Sequence, residues 1–332
     1  MDANNTTSDN ITIIDPFIFN AHIYTRHAAV TFISISFILG IPVNALVVLV
    51  HSQIKEKTVT DWMIFYIAIC DILSLMNAPF YVCQFEGFWM LGVPNFFCIY
   101  NHVNISSSSM ASYLYCAATA VERYFKVVRS KEAFSVRIAR FLWLPVFVIS
   151  FGLGSLNIWT VSNNVNGHCM YNVEGRYLAT LEYIFLLSVA FGSSIIMTVC
   201  YTRTGIHLMI KLKEISQSYG AGSALKRSYK NTIQTTKMLA IVTVVFLFSA
   251  NAPYVIGIMF TVAEPTKEPQ MSIFVFFGIS FFLNNFFNPF LYMAMSLIFR
   301  QRAMSLFRQC WKSRYAVTEE SSELPNIKGA ND

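Results

Sequence analysis

The sequence predicts an all-α membrane protein: a bundle of seven transmembrane helices followed by a short amphipathic helix 8. Three observations predict it. Hydrophobic residues make up 55% of the 332 residues and charged residues only 13%, against about 25% charged in soluble domains. Seven apolar stretches run along the chain, each near the ~20 residues that cross hydrocarbon as a helix. Lys and Arg gather on alternate connecting segments, the bias that keeps basic loops on the cytoplasmic side.

Residues 1–26 read as a polar extracellular tail. Its early residues include Asp2, Asp9 and Asp15 but no basic start and no apolar run, so it lacks the form of a cleaved signal and the first span serves as its own insertion signal. Asn4, Asn5 and Asn10 each head an Asn-X-Thr sequon, an expected site of glycosylation. The transmembrane domain occupies 27–299. Its spans are 28–50, 62–85, 98–121, 141–161, 183–202, 238–263 and 271–299, and Asp71 is the one Asp, Glu, Lys or Arg inside them. A count of six would drop the second or third span, and neither is short enough. Asn104-Ile105-Ser106 also fits a sequon but lies within the third span and is discounted.

The loops 52–58, 86–95, 127–136, 162–176, 213–230 and 264–270 are too short to hold a domain. Only 218–223, Ser-Tyr-Gly-Ala-Gly-Ser, has the composition of a flexible link. No internal repeat is visible, which weighs against inverted-repeat transporters. In 300–314 and just before it, Phe299, Ala303, Leu306, Phe307 and Cys310 recur at helical spacing, with Arg300, Arg302, Arg308 and Lys312 opposite. That pattern fits helix 8 on the inner membrane surface, touching membrane lipids. Cys310 at its end reads either as a palmitoyl anchor or as a free thiol. Residues 315–332 are acidic, polar and expected to be a disordered cytoplasmic tail.

Of the 24 Lys and Arg, all but Arg26, Arg176 and Lys267 fall on the side shared by 51–60, 123–140, 203–237 and 300–332. The expected protein is multi-pass in the plasma membrane, N-terminus extracellular and C-terminus cytoplasmic. The net charge of +6 is this bias, so no nucleic-acid partner is expected. Cys70, Cys116 and Cys200 pack inside spans as small apolar residues. Cys98 and Cys169 both face the oxidising side, where a disulfide between them is expected; Cys83 competes for the same pairing.

From 28 to 311 the chain resembles a rhodopsin-like (class A) G-protein-coupled receptor. The resemblance rests on Asn44, Asp71, Cys98 and Arg123 in Glu122-Arg123-Tyr124, with Trp143, Pro253 and Asn288-Pro289-Phe290-Leu291-Tyr292. Trp89, ahead of Cys98, also fits. The chain departs from the pattern at Ser193 (usually proline), Asn251 (usually tryptophan) and Leu247 (usually phenylalanine, here next to Phe246). In the family these positions couple the ligand pocket to the inner half.

The resemblance implies that Arg123 is held at rest by Glu122. On activation it turns toward a heterotrimeric G protein, Tyr201 and Tyr292, with arrestin and receptor kinases as further cytoplasmic partners. A guanidinium at the membrane edge can switch hydrogen-bond partners in this way. Ile233 stands where many relatives carry an acid that clamps this arginine, so a weakened resting lock is expected. Pro253 and Pro289 are assigned hinge roles, and Pro79 a shaping role.

Asp71 sits deep in hydrocarbon, where a charge costs roughly 2.5–3.5 kcal/mol on insertion scales. Ser112, Asn284, Asn285 and Asn288 fall at the family's sodium-pocket positions, with Asn44 nearby and Asn251 an added polar group. Two readings stay open: an allosteric sodium ion at Asp71, or a protonated Asp71 in a plain hydrogen-bond network. No other cofactor or metal, and no catalytic residue, is expected.

On the outer side Asp2, Asp9, Asp15, Glu86, Glu174, Glu182, Glu264 and Glu268 outnumber the bases. That field favours a cationic ligand. Glu86, His102 and Glu182 are candidates for the cavity mouth, with Tyr254, Phe277 and Phe281 as aromatic walls. Ile105 occupies the place of the monoamine receptors' aspartate, and 271–299 has no lysine for a retinal Schiff base. The leading ligand is therefore a basic neuropeptide or peptide hormone, with a lipid or small metabolite as the alternative. A transporter or channel would need broken helices or a ring of charges. An intramembrane enzyme would need a nucleophile–base pair or metal cluster. The sequence offers neither.

Overall fold

The computed structural model describes residues 22–86, 95–163, 169–171, 176–217, 223–263, 268–295 and 299–308. The described helices group into seven rods. The first is α1 (Ile23–Ser52). The second is broken into α2 (Val59–Leu75) and α3 (Ala78–Glu86). The third is α4 (Asn95–Tyr124), which runs into a π-helical turn over Phe125–Arg129. The fourth comprises α5 (Val136–Phe141), α6 (Trp143–Gly154) and α7 (Asn157–Thr160). The fifth is α8 (Arg176–Gln217) and the sixth α9 (Ser223–Ala263). The seventh is α10 (Glu268–Gly278) followed by α11 (Phe281–Met295).

Among the described residues four helical stretches are both long and apolar enough to cross a membrane: Ile23–Ser52, Val59–Glu86, Val136–Trp159 and Tyr177–Ile215. The third rod is as long as the first, but Asn101, His102, Asn104 and Ser106–Ser109 dilute its apolar surface. It lies inside the bundle, where polar side chains find partners. The one β element among the described residues is a hairpin, β1 (Val161–Asn163) paired antiparallel with β2 (Cys169–Tyr171). The sequence reading treats this segment as loop.

Helices outrun their apolar stretches. The fifth apolar run covers 183–202, yet α8 has 42 residues; the sixth begins at 238, yet α9 has 41 and starts at Ser223. Apolar length measures the hydrocarbon crossing, and a helix continues into water until a breaker stops it.

α9 and α11 run uninterrupted through Pro253 and Pro289, whereas the second rod breaks at Met76–Asn77, just ahead of Pro79. The Asn77 amide N–H turns to Ser74 O (3.2 Å), leaving Leu73 O without its helical donor. Asn77 Nδ2 (3.2 Å) and Asn104 Nδ2 (3.0 Å) both donate to that oxygen, and Asn104 also donates to Asn77 Oδ1 (3.2 Å). Asn104 is thus an inter-helix bracket. Asn104→Ala should lower stability by about 1–2 kcal/mol, read as a drop in the thermal midpoint of the detergent-solubilised protein; Asn104→Gln, one methylene longer, should recover little of it.

The ends are tied by polar contacts. Arg26 Nη2 and Nε donate to Phe85 O at 2.6 and 3.2 Å, joining the start of the first rod to the end of the second. At the opposite end Thr58 and Asp61 form a reciprocal cap on α2. His51 Nε2 lies 3.7 Å from Asp61 Oδ1 and its ring stacks on Phe299. Residues 299–308 are helical. Phe299 and Ala303 are buried and Leu306 packs against the core, but Phe307 faces outward, 62% exposed. The tail 1–21 with Asn4, Asn5 and Asn10, the loop with Trp89, and 309–332 with Cys310 lie outside the described residues.

Candidate functional site

Polar residues inside the bundle form two clusters. The central cluster surrounds Asp71, which is fully buried. Its Oδ2 accepts from Asn288 Nδ2 (2.9 Å) and its Oδ1 from Ser112 Oγ (3.4 Å). Pro289 explains a second link. Without an N–H it leaves Asn285 O unclaimed by the helix, and Asn44 Nδ2 donates there at 2.9 Å, and to Gly40 O at 3.0 Å. Asn44 therefore clasps the first rod to the seventh and makes no hydrogen bond to Asp71. The amide oxygens of Asn44 and Asn284 and the Asn285 Nδ2 are buried without a partner.

Asn251 does not join this cluster. Its Nδ2 donates to Leu247 O (2.8 Å) and Ser194 Oγ (3.1 Å), linking the sixth rod to the fifth. A two-torsion side chain reaches the carbonyl one turn back and the neighbouring helix, and no farther.

The second cluster contains Glu122-Arg123-Tyr124. Glu122 is almost fully buried, but it does not hold Arg123. Its Oε2 accepts the backbone amides of Ala133 (3.1 Å) and Phe134 (3.4 Å). Among the described residues the ion pairs do not join Glu122 to Arg123. The reason is local: the π-helical turn and Ser130, at φ 53°, fold the following loop back over the helix end, and two amide donors satisfy the acid there. Arg123 Nε is buried and unpartnered. Tyr201, Asp61 and Glu122 lie within its electrostatic reach. Tyr124 packs edge-on to Phe125. The Tyr292 side chain lies outside the described residues.

The candidates for the ligand cavity do not converge on one surface. Glu86 is half-buried and 4.0 Å from His27 on the first and second rods. His102 and Ile105 are half-buried on the third. Phe277 meets Phe248 (6.0 Å) between the sixth and seventh, and Phe281 meets Phe282 (4.0 Å) and Tyr81 (6.0 Å) beside the second. Glu182 is not on a rim: it is 7% exposed, and its Oε1 accepts from Asn157 Nδ2 at 2.6 Å. Asn157 also donates to Ser106 Oγ (3.2 Å) and Gly154 O (3.0 Å). Tyr254 is buried, its hydroxyl donating to Tyr113 Oη at 3.5 Å. Sequence reasoning missed Asn157, Ser106 and Tyr113; an amide inside the apolar run 141–161 was the available signal. Cys98 is buried and disulfide-bonded, whereas Cys83 is free. The Cys169 side chain lies outside the described residues.

The model of the 7 transmembrane receptor (rhodopsin family) matches residues 43–292. The chain is 25% identical to human (Homo sapiens) atypical chemokine receptor 4, over 87% of this chain and 82% of that one. It is 27% identical to the thyrotropin-releasing hormone receptor of Mus musculus, over 96% and 88%. It is 24% identical to galanin receptor type 1 of Rattus norvegicus, over 89% and 87%. Matched landmarks and buried polar clusters together place this chain in the rhodopsin family of seven-transmembrane receptors: it is a receptor in the membrane, not an enzyme.

Proposed function

We propose that the chain is a plasma-membrane receptor, N-terminus outside and C-terminus in the cytosol, that binds an extracellular peptide with basic groups and activates a heterotrimeric G protein. The state of Arg123 carries this reading. A buried guanidinium nitrogen without a partner, beside an acid already committed to loop amides, is free to be claimed by an incoming protein surface. Relatives named for a hormone, for galanin and for chemokines, with the acidic outer segments, support a peptide. Arrestin and receptor kinases would follow at the same face. Cys169 is our proposed partner for Cys98.

The residues around Asp71 fit a sodium ion. A carboxylate, the Ser112 hydroxyl and the unpartnered amide oxygens of Asn44 and Asn284 are the hard oxygen donors such a cation takes. Bound there, it would favour the resting arrangement.

With Ile233 in place of a clamping acid and Glu122 engaged elsewhere, membranes carrying the protein should exchange nucleotide on G proteins without ligand. Labelled GTP-analogue binding should exceed that of mock membranes, and Arg123→Ala should return it to the mock level. Binding equal to mock, unmoved by any fraction of secreted peptides, would count against the proposal.

A further inference from the structure

We propose that Glu182 is the counter-ion for a guanidinium or ammonium group brought in from outside, at a tyrosine-lined site between the third, fourth, fifth and sixth rods. This rests on the reading of the chain as a receptor for a basic ligand, and gives that ligand a specific anchor.

A buried carboxylate is costly unless a positive charge or several donors offset it. Glu182 has one donor, Asn157 Nδ2, itself held by Ser106 and Gly154 O. Among the described residues no base pairs with Glu182. Asn157 fixes Oε1, and the described residues supply no cation to Glu182. Tyrosines lie on the neighbouring rods. Tyr183, next in sequence, lies against the sixth rod so closely that a Cβ on Gly257 would sit 2.6 Å from its ring. The hydroxyl of Tyr254 lies within electrostatic reach of Glu182, Tyr183 and Tyr113. Tyr113 in turn packs edge-on against Phe246 at 4.8 Å and Tyr254 at 6.2 Å. A fixed carboxylate with Tyr183 next to it in the chain and the Tyr254 hydroxyl within its electrostatic reach is a setting that attracts a cation through both charge and ring quadrupole.

The test uses full-length receptor on cells, with Cys83→Ser to remove an exposed thiol. Single cysteines at Ile105 and, separately, Ser106 are labelled with 2-aminoethyl or 2-sulfonatoethyl methanethiosulfonate. Relative to their rates on a free thiol, the cationic reagent should lead by about tenfold or more, and Glu182→Gln should bring the two level. Glu182→Gln keeps an oxygen for Asn157, and Glu182→Asp, which keeps the charge, should keep the lead. Surface epitope staining verifies folding of each variant.

A second arm applies amidated peptides in which arginine is replaced by citrulline. On the wild type the replacement should cost about 30-fold or more in potency; on Glu182→Gln it should cost nothing further. Equal labelling by both reagents, or labelling by neither at both positions, overturns the proposal. Charge-selective labelling without any peptide response upholds the site and overturns the peptide reading.

Discussion

Gly154→Leu should abolish delivery of folded receptor to the cell surface. At this position the fourth rod lies directly on the third. A Cβ on Gly154 would collide with Ser107 Oγ and come within 3.0 Å of Val103 O and 3.1 Å of Ser107 N. Two of those three atoms are backbone and cannot rotate away. Overpacking a tight core costs roughly 1–3 kcal/mol and more where backbone must move. Leucine adds three carbons beyond Cβ, and parting the rods would also break the Asn157 contacts to Ser106 and Glu182. Gly154→Ala should fold with a lowered thermal midpoint. Gly152 is the internal control: a Cβ there meets nothing within 4 Å, so Gly152→Leu should reach the surface as the wild type does. Surface epitope staining against total protein decides the matter; equal surface levels for both leucine variants would refute the close contact.

Asp71→Leu should destabilise the receptor by about 2–5 kcal/mol. It strips the acceptor from Asn288 Nδ2 and Ser112 Oγ at once, and each buried donor then bears its full desolvation cost. Asp71→Asn keeps the shape and one acceptor and should fold. It should, however, lose any response to sodium. For the wild type, replacing sodium with a bulky organic cation should lower the thermal midpoint in detergent; for Asp71→Asn the midpoint should stay put. A wild-type midpoint indifferent to the exchange would leave Asp71 as a protonated member of a plain hydrogen-bond network.

The seven crossings were legible because hydrocarbon imposes a length and a polarity on any helix that enters it. Asp71 was legible for the same reason, since a polar group there needs a partner; Asn288 and Ser112 were legible only through the resemblance to the receptor family. What escaped the sequence has a common cause. Glu182 reads as a rim residue because the apolar run begins at 183, yet α8 begins at Arg176, so Glu182 lies about 9 Å inside the helix start. The Glu122 partners lie in a loop whose return depends on the π-helical turn and Ser130. The break before Pro79 was visible as a proline; its repair by Asn104, on another rod, was not. In each case the deciding contact depends on tertiary geometry rather than on local pattern.

The great length of α8 and α9 has a mechanical consequence. At 1.5 Å per residue, helices of 42 and 41 residues reach about 60 Å, roughly twice the thickness they must traverse. The surplus on the basic side forms a lever arm. Beyond the apolar runs the basic-side surplus of each helix, 203–217 and 223–237, is about 22 Å, so a tilt of about 10° where the pair leaves the bilayer would sweep its tip through about 4 Å and magnify a small rearrangement near Asn251 and Ser194.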